Sequence, residues 1–436
     1  MTERVNTREL VLEMLSLINE KNEYSHLVIR TVLEKYQYLS KQDRAFITRL
    51  TEGTIERQIE LDYIVDKFSK TKVRKMKPFI RNLIRMSVYQ IKYMDSVPDS
   101  AVCNEAVKIA KRHKFGQLSG FVNGVLRNIA RNVDSIEYPD RDTNPNMYLS
   151  IIYSMPIWIV ERFVKEYGID CAEKIFIEFQ KENTISIRTN LSKTTPEKLK
   201  ERLVSEGVKV EVVDGLKYAF VISGFDYIGG LESFQDGLFY IQDVSSMMVA
   251  ETAKPSKGDY VIDVCAAPGG KSTHMAEMLE GTGMVEARDL TDNKVWLIED
   301  NIVRHELSNM KAVQMDATVF DEESVEKADI LICDLPCSGL GVIGRKTDIR
   351  YKMTEESVTS LAKLQREILK TVHTYVKKGG VLVYSTCTID RAENEDNVQW
   401  FFENYPEFEL VSEKQMLPGE TGNDGFFIAK FDRKFN

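Results

Sequence analysis

Five short apolar runs in the second half of the chain limit what it can fold into. They are YVIDVCA (260–266), MVEARDL (284–290), KAVQMD (311–316), ADILICDL (328–335) and GGVLVYSTC (379–387), separated by stretches of helical periodicity. Short buried strands alternating with helices predict a doubly wound, mostly parallel α/β sheet covered by helices. Ligands in such sheets bind beyond the carboxyl ends of the strands. The residues able to do chemistry stand at those ends.

The first run leads into DVCAAPGGKSTHM. Gly269 and Gly270 let the backbone approach a ligand closely, and the helix that follows offers N-terminal amides to a negative group. The G-x-x-x-x-G-K-[ST] phosphate loop is excluded, because its first glycine is absent. Asp289 ends the second run, where it can accept hydrogen bonds from ribose hydroxyls. Asp316 ends the third and can accept from an adenine amino group. Taken singly, each aspartate is more simply a cap. Their placement on consecutive strand ends points instead to a cofactor with an adenosine and an amino-acid carboxylate but no phosphate, such as S-adenosyl-L-methionine. The candidate cofactor residues are Cys265, Ala266, Ala267, Pro268, Gly269, Gly270, Lys271, Asp289, Asp316 and Asp334.

The fourth run ends in Asp334-Leu335-Pro336-Cys337 and the fifth in Thr386-Cys387. The N-terminal MTERVNTREL lacks the apolar core of a signal peptide, and no stretch reaches the roughly 18 apolar residues of a membrane span. The expectation is a cytoplasmic protein with reduced thiols and no membrane association. The six cysteines have no framework spacing, and no second Cys pair or His-x-x-x-His accompanies Cys333 and Cys337. A metal site is therefore not expected. Buried filler or catalytic thiols remain, and filler is the commoner fate.

The net charge of -9 conceals an asymmetry. Residues 71–131 hold 13 basic and 3 acidic side chains; residues 1–140 sum to +6 and residues 141–436 to -15. A basic module joined to an acidic one suggests that the first handles a polyanion. That module reads as a helical bundle over residues 4–133. In FIRNLIRMSVYQIKYM, Ile80, Leu83, Ile84, Val88 and Ile91 form a buried stripe, with Arg81, Arg85 and Lys92 on the opposite face. KMKPFIRNLIRMSVYQIKYMDSVPDSAVCNEAVKIAK followed by FVNGVLRNIAR resembles the NusB-type RNA-binding domain, which implies structured RNA as a ligand.

Past a connector near residues 138–147, SMPIWIVERFVKEYG and CAEKIFIEFQKEN read as helices and ISIRTN as a strand. TTPEKLKERLVSEG reads as a helix with Thr195 at the N-cap, Pro196 at the first position and Gly207 at its end, and VKVEVV follows as a strand. This small α+β unit, ending near residue 235, resembles the RRM-like accessory domain in front of RNA cytosine methyltransferase domains.

FYIQDVSSMMVA, DVCAAPGGKSTHMAEML, DLPCSGLGVIGRKTDIRY, YSTCTIDRAENEDNV and the closing GNDGFFIAKF resemble the RNA cytosine-5 methyltransferase family, in its bacterial ribosomal RNA branch of the RsmB (Sun) type. The chain departs from that pattern at Leu335, Gly344, Thr347 and Tyr351, which bears on RNA contacts around residues 344–351. The resemblance implies a multidomain chain: an all-α NusB-like domain (1–140), a small α+β domain (141–235) and a Rossmann-like class I methyltransferase domain (236–436).

The implied chemistry explains the residue types. Carbon 5 of cytosine is a poor nucleophile, and a thiolate adding to carbon 6 makes it electron-rich. By resemblance Cys387 attacks and Cys337 assists release, although in the DNA enzymes the cysteine of the Pro-Cys motif attacks. Asp334 would grip the cytosine amino edge, and Lys271 would pair with it or stabilise developing charge. The implied substrate is one cytidine of 16S small-subunit ribosomal RNA, flipped out of its stack, and the implied enzyme is a monomer. A transfer RNA substrate would use the same catalytic residues. A rival amino-group methyltransferase needs no cysteine. A non-catalytic NusB-type RNA-binding regulator would not need Asp289, Asp316, Asp334, Cys337 and Cys387 together.

Overall fold

The computed structural model describes residues 5–182, 184–420 and 422–435. Arg4, where the sequence reading begins the bundle, lies outside the described residues. Two compact units emerge: Met1–Gln180 with Arg345–Lys352, and Lys181–Gly344 with Met353–Asn436. The expected division at residue 140 falls inside the first of them.

The first unit is helical. Its bundle is built on Thr7–Glu20, Ser25–Lys35, Lys41–Glu56, Gln58–Phe68, Pro78–Tyr93, Asp99–Arg112 and Ser119–Asn132. The helices Lys41–Glu56 and Gln58–Phe68 follow one another directly and are parted only at Arg57. In Pro78–Tyr93 the expected stripe is buried at Ile80, Leu83, Ile84 and Val88, with Ile91 half-buried.

The opposite face differs from expectation. Arg81, Arg85 and Lys92 do not project into solvent, because Asn82, Met86, Ser87, Tyr89 and Gln90 are buried too and the helix is enclosed nearly all round. Enclosed charges need partners. Arg85 forks onto Asp62 with two 2.6 Å bonds, Arg81 meets Glu20 at 2.5 Å, and Lys92 meets Glu60 at 2.7 Å.

The stretch Arg345–Lys352, within the region where the sequence departs from the family pattern, is packed among these helices. Arg350 is fully buried; its Nε donates to the Thr347 carbonyl at 3.0 Å and its Nη1 to the carbonyls of Glu56, Tyr153 and Ser154 at 3.3–3.4 Å. Glu56 closes one helix and Tyr153 follows another, and such carbonyl ends favour a cation. Asp348 accepts from the Ser25 N–H (2.9 Å) and hydroxyl (2.7 Å), while Lys352 Nζ donates to the Asn22 and Glu23 carbonyls.

The second unit carries two sheets. Strands β1 (Ile185–Thr189), β2 (Lys209–Val212), β3 (Ala219–Ser223) and β4 (Phe239–Ile241) form an antiparallel sheet in the order β2-β3-β1-β4. Its edge strand β4 lies past residue 235. The helix Pro196–Ser205 starts where expected, with Thr195 Oγ1 accepting from the Lys198 N–H, and Gly207 takes a φ of 81° behind it. Ile187, Leu199, Leu203, Phe220 and Phe239 make its core.

The larger sheet contains β5 (Tyr260–Asp263), β6 (Met284–Asp289), β7 (Met310–Gln314), β8 (Ala328–Asp334), β9 (Val376–Thr386), β10 (Phe408–Met416) and β11 (Phe426–Arg433). Its order is β10-β11-β9-β8-β5-β6-β7. The five strands read from the sequence pair in parallel, and β11 runs antiparallel between β9 and β10. Val261, Ile330 and Val383 feed one core while Ile262, Leu331 and Leu382 feed the other. Successive side chains therefore serve opposite faces, as a sheet buried on both sides requires.

Candidate active site

Strands β8 and β9 are parallel neighbours with Asp334 opposite Ser385, so the segments leaving their carboxyl ends run side by side. They bring Cys337 Sγ to 3.3 Å from Cys387 Sγ, and neither is in a disulfide. Two residues separated by 50 positions thus share one point. The hydrogen bond with Cys387, and then burial, push the Cys337 thiol well above the ordinary range.

Asp334 holds the next position. Its Oδ2 lies 2.6 Å from Lys271 Nζ, and its Oδ1 accepts from Ser385 Oγ at 2.8 Å. Burial works against the Lys271 ammonium, but Asp334 outweighs it, and Cys387 and Asp263 add to the effect, so the amine is held above its usual value. Lys271 stays charged.

Lys271 stands in the first turn of the helix Gly270–Met278, directly after the loop leaving β5. Gly269 caps that helix at φ 106°, a conformation open to glycine. Asp289, buried at the end of β6, accepts from the Ala267 N–H at 2.9 Å and from the Leu290 N–H at 2.8 Å, and meets Lys294 at 2.9 Å. Ala266 N–H donates to the Arg288 carbonyl (2.8 Å), and Asn301 donates to that of Pro268 (2.8 Å). The loop is thereby fixed between β5 and β6. Burial and the carboxylates of Asp263, Asp289 and Asp334 push the Cys265 thiol upward, so it lines the loop as a neutral group.

Asp316 sits two residues past β7 and closes a turn, its Oδ1 accepting from the Thr318 N–H and hydroxyl at 2.8 and 2.7 Å. The cap that competes with a ligand role is thus made by one of its oxygens. The chemistry of the donor set fits S-adenosylmethionine: helix-terminal amides, a carboxylate fixed on the loop and a second at the next strand end, without a phosphate loop.

Sequence reasoning missed the groups that hold this arrangement. Asp263 is fully buried and accepts from Ser272 Oγ at 2.5 Å; burial, against the Ser272 bond, raises its carboxyl to about 7. An acid inside the apolar run YVIDVCA was the available signal. Glu393, Gln365 and Ser338 form a buried cluster beside Cys337. Nothing in DRAENEDN distinguishes buried Glu393 from half-buried Glu395 or exposed Asp396.

Among the described residues, no cluster of His, Cys, Asp and Glu suits a metal ion, and no helix is long and apolar enough to cross a membrane. Family models match three stretches: 16S rRNA methyltransferase RsmB/F over residues 250–432, the NusB family over 5–131, and an RsmF/B-like ferredoxin-like domain over 155–225. The probable ribosomal RNA small subunit methyltransferase B of Bacillus subtilis (strain 168) is 37% identical, covering 99% of each chain. Its counterpart from Synechocystis sp. is 31% identical over 98% of this chain and 100% of its own. The crystal structure of PH0851 aligns with a TM-score of 0.84 at 25% identity, over 99% of both chains. S-adenosylmethionine is the cofactor that the site and the methyltransferase family match support. The chain belongs to the RsmB family of ribosomal RNA small-subunit methyltransferases.

Proposed function

We propose that the protein methylates carbon 5 of a cytidine in small-subunit ribosomal RNA through a covalent adduct with Cys387. The observation carrying this reading is the 3.3 Å separation of Cys337 and Cys387 beside the Lys271–Asp334 pair. A methyltransferase acting on an amino group has no use for two thiols at one point.

The resemblance to RNA cytosine-5 methyltransferases gives the attack to Cys387, which also favours the charge of the Lys271 cation. Cys387 therefore takes the thiolate role and adds to carbon 6 of the ring. Asp334 accepts from the cytosine amino group while Lys271 steadies the charge that develops on the ring. S-adenosylmethionine, when bound, supplies the methyl group that carbon 5 takes. Loss of the carbon 5 proton to a base then lets the carbon 6–sulfur bond break, and Cys337 serves this release.

The helical first unit anchors the RNA in this reading. With Arg81, Arg85 and Lys92 engaged internally, Arg74, Lys75, Lys77, Lys111, Lys114, Arg127 and Arg131 remain exposed to meet phosphates. Lys271, Asp334, Cys337 and Cys387 belong to one compact unit, and action as a monomer is part of this proposal. Bisulfite sequencing of RNA from a deletion strain tests the assignment: one 5-methylcytidine should disappear from small-subunit ribosomal RNA. Its disappearance from transfer RNA instead would move the substrate while leaving the chemistry.

A further inference from the structure

The loop carrying Cys337 has no strand partner of its own, yet both neighbours of that cysteine are fixed. The Ser338 N–H donates to Glu393 Oε2 at 2.9 Å, and the Ser338 hydroxyl donates to Glu393 Oε1. On the other side, Gln365 Nε2 donates to the Pro336 carbonyl and to Glu393 Oε2, each at 2.9 Å. Glu393 is fully buried and thus serves three donors at once. Its loop is itself anchored, since Tyr384 donates to the Glu393 carbonyl and Asn397 to Gln365 Oε1 at 2.7 Å.

Cys387 is held differently. It follows β9 directly, where Thr386 pairs with Phe427, and its carbonyl accepts from the Gly341 N–H at 3.1 Å. Thr386 Oγ1 is fixed by Asn394 at 2.5 Å. The Ser338 hydroxyl also meets Thr388 Oγ1 at 2.9 Å, but the strand pairing beside Cys387, its carbonyl bond to Gly341 and the Thr386–Asn394 bond do not use the Glu393 carboxylate, whereas both neighbours of Cys337 do.

We propose that Glu393 is a positioning residue for the release half of the reaction, holding Cys337 through Ser338 and Gln365 at the distance where it meets the Cys387 adduct. The inference rests on the reading of Cys337 as the group that serves release. Burial raises the Glu393 carboxyl to about 7, while its Ser338 and Gln365 donors pull it down.

The test uses full-length Glu393→Gln with unmethylated small-subunit ribosomal RNA and S-adenosylmethionine, following turnover, cofactor affinity and protein–RNA adduct on denaturing gels. A glutamine keeps the shape but presents an amide N–H₂ to donors. Turnover should fall by about tenfold or more, the equivalent of one charge-assisted hydrogen bond. Adduct should accumulate as in Cys337→Ala, vanish in Glu393→Gln/Cys387→Ala, and leave cofactor affinity unchanged. Turnover lost without adduct, or normal turnover without adduct, would overturn the proposal. If Glu393→Gln fails to bind cofactor, Ser338→Ala decides, with adduct expected and its absence contradicting the role. Absence of adduct in Cys337→Ala itself would remove the underlying reading, and this inference with it.

Discussion

Gly341 and Gly425 meet backbone to backbone: the Gly425 N–H donates to the Gly341 carbonyl at 2.9 Å, and a Cβ built on Gly341 would stand 2.1 Å from the Gly425 carbonyl oxygen and 2.9 Å from that of Cys387. The close approach ties the loop after Cys337 to the residue ahead of β11. Gly341→Ala should therefore push the two cysteine loops apart, costing about 2–3 kcal/mol by overpacking. Denaturant unfolding reads the stability loss, and methyl transfer should fall with it. A variant with normal midpoint and normal turnover would show that this close approach does not set the thiol separation.

His305 gives a pH-dependent prediction with a definite sign. It is fully buried, stacked on Tyr240 at 3.5 Å, with Nδ1 3.1 Å from the Gly237 carbonyl. Burial, then Arg304, lower its pKa to about 3, against the Gly237 bond. The neutral ring fits the fold, so its contribution is complete above the unfolded value near 6.5 and is lost as the pH falls toward 3. The loss across that window is of order 5 kcal/mol. His305→Gln should flatten the corresponding part of the stability profile between pH 6.5 and 3, measured by urea unfolding; an unaltered slope would contradict it.

The basic residues of the first unit divide into two classes with different failures. Replacing exposed Arg74, Lys75, Lys111 and Lys114 by alanine should weaken RNA binding and reduce its salt slope by about 0.7 for each phosphate no longer neutralised. Cofactor affinity should stay the same. Arg85→Ala should instead cost about 2–3 kcal/mol of stability by stranding Asp62, with the salt slope retained. The reverse pattern, in which Arg85→Ala changes the slope and the exposed set does not, would relocate the RNA surface.

The sequence was most informative where one residue type answers one local demand. Thr195, Pro196 and Gly207 mark their helix correctly because a cap, a fixed φ and a left-handed stop are local requirements. Edge strand β7 is mostly exposed or half-buried, while the inner parallel strands β5, β6, β8 and β9 were legible because most of their residues on both faces are buried. Strand β10 was not: seven of its nine residues, from Glu409 to Gln415, are exposed or half-buried, which leaves no apolar run to read. The break at Arg57 carries no glycine or proline to announce it. In the site, each strand-end residue could be named, but the pairing of Cys337 with Cys387 depends on which strands are neighbours. Glu393 and Arg350 were invisible for a related reason: both are charged residues in polar stretches, and only tertiary packing makes them buried.

The division of labour between the two cysteines is tested most directly by trapping protein on RNA. Wild type, Cys387→Ala and Cys337→Ala are each incubated with unmethylated small-subunit ribosomal RNA and S-adenosylmethionine, then run on denaturing gels. Cys387→Ala should neither methylate nor form an adduct. Cys337→Ala should methylate once, release slowly and accumulate a denaturation-resistant adduct that the second substitution, Cys387→Ala, abolishes. If Cys387→Ala accumulates the adduct and Cys337→Ala does not, the attacking thiol is Cys337; if both variants turn over normally without adduct, the two thiols only fill space and the covalent mechanism is contradicted.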